Sequence, residues 1–360
     1  MTPLARRIRD TIAASGPISV AEYMAMCLFD PEHGYYTTRE PFGTEGDFTT
    51  APEISQMFGE IVGVWMVAAW QSLGRPLPAT IGEIGPGRGT LMKDLLRTVK
   101  RLAPDLASES QIVLIEASRR LADVQRRMLG EWSGRARWLT SVDDLPACPL
   151  FIVGNELFDA IPVRQFVKTP GGWRERMVGL DDDGRLAFFA GMTSLDDTLL
   201  PAGAADATDG SIFETAPGRT AVMAGIAAHI ARAGGAGLFF DYGHLVPGLG
   251  DTLQAVRRHA FDPVLAHPGE ADLTSHVDFE TLAREAGYHG LSTGLATQGE
   301  FLLAMGLLQR AGVLGADADE TRREEIRNEV ERLASPAQMG DLFKVLAIAG
   351  RPLDLVPFKA

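Results

Sequence analysis

Cysteine is scarce: Cys27 and Cys148 are the only two in 360 residues, far apart and without paired spacing, so neither a disulfide framework nor a zinc ribbon can be built. A reducing compartment is the default that follows. Long apolar runs are missing as well. The most apolar stretch, Ile61 to Trp70, falls well short of the ~20 residues a membrane-spanning helix needs. The opening residues Met1 to Phe29 mix Arg6, Arg7 and Arg9 with Asp10 and Glu22 and lack the apolar core of a secretory signal, so the expectation is a folded, cytoplasmic start. Positive charge is in deficit, with 34 Lys+Arg against 47 Asp+Glu and a net charge of -13. A nucleic acid is therefore a poor partner, because phosphate backbones demand clustered cations. Seven histidines form neither H-E-x-x-H nor a Cys/His cluster, which leaves no transition-metal site. No Walker loop and no G-x-S-x-G elbow occurs, so kinases and α/β-hydrolases lose their usual anchors.

What is present is enough to bury a core. Hydrophobic residues make up 46% and charged residues 22%, the totals of a soluble globular chain long enough for one large domain or two. Leu4, Ile8 and Ile12 mark a first amphipathic helix, and a second runs from Val20 to about Leu28. The stretch around Asp30-Pro31-Glu32-His33-Gly34 and Pro41-Phe42-Gly43 has turn chemistry throughout. Thr50 and Glu53 have capping-box spacing ahead of the stripe Ile54, Phe58, Ile61, Val62, Trp65, Ala69, which predicts a long buried helix beginning there.

From Ala79 the period changes to strands at Thr80–Ile84, Ile112–Ile115, Arg137–Leu139 and Leu150–Val153, alternating with helices at Thr90–Leu102 and Ser118–Leu129. That is the pattern of a doubly wound α/β domain. After Pro162 it turns hairpin-like, over Val163–Lys168, Arg174–Leu180 and Leu186–Phe189. The helix Gly218–Ala233 and the strand Ala236–Asp241 resume the sheet. Helices near Val277–Ala286, Gln298–Gln309 and Asp319–Leu333 precede a last strand, Phe343–Ala349. The expected organisation is a helical extension with a lid loop over 1–78, a first cofactor-domain segment over 79–162, an antiparallel insertion over 163–212 and the remainder of the domain over 213–360.

The strongest motif is Glu83-Ile84-Gly85-Pro86-Gly87-Arg88-Gly89, between a strand and a helix. Glycines there let a ligand lie against bare backbone at a helix N-terminus. The dinucleotide fingerprint places its third glycine three residues beyond the second; here Gly89 follows Gly87 by two, with Thr90 in the dinucleotide position. This favours S-adenosylmethionine, and Glu83 suits it, since a carboxylate can meet the ammonium of the methionine moiety but would repel a pyrophosphate. Glu116 ends the next strand, where an acid accepts both ribose hydroxyls, a feature that nicotinamide and methyl-donor enzymes share. Asp143 and Asp144 stand where a carboxylate can meet adenine, or form a solvated turn. Asn155, Glu156 and Asp159 reach the sheet's carboxyl edge, where open α/β folds bind ligands. His244 reaches it too, as a base or a structural histidine.

Asp30–Tyr36, Gly46–Ser55 and Phe58–Glu60 together resemble the MidA family of S-adenosylmethionine-dependent methyltransferases. The resemblance continues through Glu83–Leu91, Asn155–Pro162, Asp241–Gly243, Ser275–Phe279, Thr297–Gly299 and Met339–Lys344. It implies a class I methyltransferase (Rossmann-like) fold, a seven-stranded sheet whose last strand runs antiparallel, and S-adenosyl-L-methionine as cofactor on Glu83, Gly85, Gly87, Gly89, Glu116 and Asn155. It further implies symmetric dimethylation of a protein arginine, with a quinone-site subunit of respiratory complex I as the substrate known for the mitochondrial relative. No mitochondrial presequence precedes the matched region, in keeping with a bacterial cytoplasmic protein. A guanidinium must be gripped and relieved of a proton, so Glu156 and Asp159 are the expected catalytic acids, with Asp47 as a lid contribution and Glu53 behind it. The competing readings are a non-catalytic assembly chaperone that keeps the cofactor fold, a small-molecule methyltransferase and a nicotinamide oxidoreductase.

Overall fold

The computed structural model describes residues 1–38, 50–353 and 355–358. The chain divides into two compact units. The larger comprises Thr49–Leu157, Ala221–Leu245 and Val277–Ala360; the smaller comprises Met1–Phe48, Phe158–Thr220 and Val246–His276.

The larger unit is built on β1 (Thr80–Ile84), β2 (Gln111–Ile115), β3 (Ala136–Leu139), β4 (Leu150–Asn155), β5 (Gly235–His244), β6 (Ser292–Thr297) and β7 (Phe343–Ala349). Their spatial order is β6-β7-β5-β4-β1-β2-β3. The pairs β1 with β2, β1 with β4, β2 with β3 and β4 with β5 are parallel. The last strand, β7, slots between β5 and β6 and runs antiparallel to both, as the resemblance implies. β1, β4 and nearly all of β5 are buried, which is why Leu150–Val153 and Ala236–Phe240 read as continuous apolar runs rather than alternating ones. Helices α1 (Gln56–Ser72), α2 (Thr90–Leu102) and α3 (Arg119–Leu129) belong to the same unit. Phe58 of α1 meets Phe240 of β5 edge-on at 5.0 Å, and Phe240 meets Phe301 at 5.3 Å, placing an aromatic seam in a core that also buries Trp65.

Several expectations change at their ends. The capping box at Thr50 does not form: Thr50 makes no side-chain cap bond and starts only the short turn Ala51–Ile54. The long helix begins afterwards, at Gln56, where the Ser55 hydroxyl accepts from the Met57 amide at 3.2 Å. The helix expected over Gln298–Gln309 breaks at Gly306, whose φ of +95° ends one helix at Ala304 and opens the next, Leu307–Gly315. The helix expected from Val277 begins at Phe279, capped by Asp278. β6 has no counterpart in the sequence reading, because its half-exposed Ser-Thr-Gly-Leu-Ala-Thr shows no alternation.

In the smaller unit the expected hairpins form, as Arg164–Thr169, Gly172–Leu180 and Leu186–Ser194, joined by Ile212–Thr215 and by the short strand Ile18–Ser19. A second sheet of Gln254–Arg257, Ala260–Asp262 and Asp272–Thr274 was not legible. Leu4, Ile8 and Ile12 pack with Tyr23, Met24 and Leu273 in this unit's own core.

Candidate functional site

The glycine loop leaves the carboxyl end of β1. Gly85, Gly87 and Gly89 all hold positive φ, at +65°, +51° and +85°, a region that only glycine occupies without strain. Gly89 is the N-cap of α2, so the loop opens onto the free amides of that helix. The packing is tight. A Cβ on Gly85 would lie 2.9 Å from Leu157 Cδ1, and one on Gly89 would lie 3.5 Å from the Gln125 backbone. Ile84 pairs with Gly154, so Gly85 and Asn155 leave the sheet side by side at one edge.

Glu83 is 2% exposed. Burial pushes its carboxyl well above the ordinary carboxylate range, against the bond donated by the Met92 backbone, with nearby Glu116 adding to the rise. Its Oε2 has no hydrogen-bond partner, and neither does the buried Oδ1 of Asn155. The amide of Asn155 donates to Glu156 Oε1 at 3.0 Å. With Glu83 ionised, both orphaned atoms are acceptors, so what would satisfy them is a donor or a cation. An ammonium with its N–H groups fits; a pyrophosphate does not. The residues present therefore suit S-adenosylmethionine.

Glu116, the residue after β2, accepts from the Ser118 amide at 2.7 Å and from Gln125 Nε2 at 2.9 Å. Burial raises its carboxyl, and those two bonds together with Arg120 oppose the rise. Glu156 follows β4 with φ +51°, a left-handed conformation that costs a non-glycine residue of order 1 kcal/mol and gathers at functional sites. Its amide donates to Phe240 O at 2.9 Å.

The other candidates divide. Asp159 lies in the smaller unit, 5% exposed, its Oδ1 accepting from the Ala160 amide at 2.8 Å. The Asp159 carbonyl accepts from the Ser275 amide and from the Arg219 guanidinium, both at 3.2 Å. Arg219, itself buried, also donates to Ser275 O at 3.3 Å and His276 O at 2.6 Å. Asp47 lies outside the described residues. Asp143 and Asp144 are exposed in the turn Val142–Asp144, which Ser141 caps. His244 ends β5 with its Nδ1 buried and unpartnered. Among the described residues no three His, Cys, Asp or Glu side chains are grouped to hold a metal, and no helix is long and apolar enough to cross a membrane.

Two further residues brace this edge, one of them expected from the sequence and one not. Glu53, expected either as a cap or behind the lid acid, makes no cap and accepts from the Thr90 hydroxyl, 3.7 Å from Arg88 Nη1, bracing the end of the glycine loop. Gln125, mid-helix in α3, reaches both the loop and Glu116. Nothing in its sequence position signals those contacts, which are made across the fold.

The sequence model of a family described as "Putative S-adenosyl-L-methionine-dependent methyltransferase" matches residues 61–297. The rat protein arginine methyltransferase NDUFAF7, mitochondrial (Rattus norvegicus), is 36% identical over 97% of this chain and 84% of its own. Its human counterpart (Homo sapiens) is 34% identical, covering 97% and 83%. A crystal structure of a Burkholderia thailandensis protein bound to S-adenosyl-homocysteine superposes with a TM-score of 0.83 at 31% identity, over 98% of this chain and 92% of that one. The mitochondrial names of these relatives overturn the cytoplasmic placement expected from the first residues.

Proposed function

The chain belongs to the S-adenosyl-L-methionine-dependent methyltransferase family, and on that premise we propose that it methylates an arginine side chain of a protein, in connection with the assembly of respiratory complex I. Symmetric dimethylation is the product the MidA resemblance implies. The chain is a methyltransferase, and S-adenosylmethionine is its cofactor. When bound, that cofactor supplies a methyl group on a sulfonium, activated for displacement.

The protein's task is to align and to exclude water. In this reading Gly85, Gly87 and Gly89 admit the methionine half against the backbone, Glu83 and Asn155 receive its ammonium, and Glu116 receives the ribose hydroxyls. The acceptor is harder. A guanidinium with a pKa above ~12 is no nucleophile until a carboxylate takes its proton as the new bond forms. A carboxylate can also accept two of its N–H groups in parallel. Glu156 is the first candidate for this work, with Asp159 and Asp47 as further acids from the sequence. The observation that carries the reading is the pair of orphaned buried acceptors, Glu83 Oε2 and Asn155 Oδ1, at the edge where the glycine loop and Glu156 also emerge.

The test is incubation of the purified protein with labelled S-adenosylmethionine and a cell extract, followed by mapping of the labelled peptide. Methylated arginine is expected. Label only in the low-mass fraction would replace the reading with a small-molecule acceptor, and absence of label despite cofactor binding would replace it with a binding function.

A further inference from the structure

We propose that Gln125 is a positioning residue for the cofactor: its amide ties the glycine loop to the ribose acid and makes the two halves of the cofactor cradle one rigid piece. The inference rests on the reading of Glu116 as the ribose acceptor.

Gln125 is fully buried on α3. Its Nε2 donates to Gly87 O at 2.8 Å and to Glu116 Oε2 at 2.9 Å, while its Oε1 accepts from Trp138 Nε1 at 2.9 Å. The orientation of the amide is fixed by chemistry. An indole N–H can only donate, so the oxygen must face Trp138 and the NH2 must face the two acceptors. The backbone supports the same link, because Gly89 packs its bare Cα against the Gln125 backbone, where a Cβ would come within 3.5 Å. With Ser118 holding the other oxygen of Glu116 at 2.7 Å, the carboxylate has one geometry in which to offer its remaining lone pairs. The charged groups facing it are Glu83 from β1 and Arg120 from α3.

Gln125→Met keeps the volume and removes both donors. Titration with S-adenosylhomocysteine is expected to show a dissociation constant about tenfold higher, the change that loss of one hydrogen bond to a charged group produces. The loss should fall on ribose recognition. The wild type should bind S-adenosylhomocysteine more tightly than its 2′-deoxy analogue, and Gln125→Met should lose most of that preference. Gln125→Glu gives a signature that a packing role would not: with two facing carboxyls the variant binds poorly at pH 8, and its affinity relative to the wild type at the same pH recovers as pH falls and the new carboxyl regains a proton to donate. Should Gln125→Met fail to fold, Trp138→Phe, which removes only the N–H that orients the amide, is expected to erode the ribose preference in the same direction. Variants that keep the wild-type preference overturn the inference and leave Glu116 in its role. A wild type that binds the deoxy analogue equally well overturns the role of Glu116, and the inference with it.

Discussion

Glu156 occupies left-handed backbone at the end of β4, and a methyltransferase acting on arginine needs a carboxylate more than it needs any other group. Glu156→Gln keeps shape and the bond from Asn155 while removing the charge. Transfer is expected to fall at least about 100-fold, the range of a lost general base, with S-adenosylhomocysteine affinity within about twofold of the wild type by calorimetry; unchanged turnover would assign the proton to another acid. Glu83 makes a different prediction. Its folded pKa lies well above the ordinary 4.5, so its protonated form stabilises the fold below that value, and the contribution is lost as pH rises through the raised one. An ammonium at its unpartnered oxygen favours the charged form, so cofactor binding within that window should expel a proton. Binding heats measured in buffers of different ionisation enthalpy should differ for the wild type and coincide for Glu83→Gln; buffer-independent wild-type heats would remove Glu83 from the ammonium site.

At the scale of elements, α1 and α2 approach so closely that side-chain volume outweighs helix propensity. Gly59 of α1 faces Asp94 of α2, where a Cβ would lie 2.7 Å from Asp94 Cβ, and Gly63 faces Thr98, at 3.0 Å. In an exposed helix Gly→Ala gains about 1 kcal/mol. Here the overlap costs on the order of 1–3 kcal/mol, so Gly59→Ala is expected to lower the melting temperature by several degrees; a higher one would mean the helices part at no cost. This seam illustrates what the sequence can carry. The strand-to-helix switch at Glu83–Thr90 is legible because glycines and a change of period coincide there, and β7 because Val345–Ala349 is an apolar run. The split at Gly306 was missed because Gln298–Gln309 stays apolar on both sides of it. For Glu53 the spacing from Thr50 suits a cap as well as a place behind the lid acid, and its partners, Arg88 and Thr90, are too distant in sequence to decide between them. Gln125 is the same case: a polar side chain in mid-helix acquires meaning only when the loop folds onto it.

For the molecule as a whole, the net charge of -13 disfavoured polyanions without choosing a partner. The fold gives that charge a local meaning, since Glu83, Glu116 and Glu156 all belong to the unit that carries the glycine loop. A cationic substrate approaching an acidic protein is drawn in over about one Debye length, roughly 8 Å at physiological salt and 3 Å at 1 M. Attraction of that kind acts on encounter and not on the methyl displacement, which takes place after water has been excluded. With an arginine-containing peptide as acceptor, raising the salt from 0.05 M to 0.5 M should therefore raise KM several-fold and leave kcat nearly constant. The same peptide with lysine in place of arginine keeps the charge but cannot offer two parallel N–H groups to one carboxylate. It should retain much of the salt-dependent attraction, measured as inhibition, while accepting no methyl group. If KM does not respond to salt, the acidic surface plays no part in capture, and substrate choice rests on contacts to the neutral parts of the peptide. If lysine is methylated as fast as arginine, the acceptor site reads charge alone and the bidentate grip assigned to Glu156 is wrong.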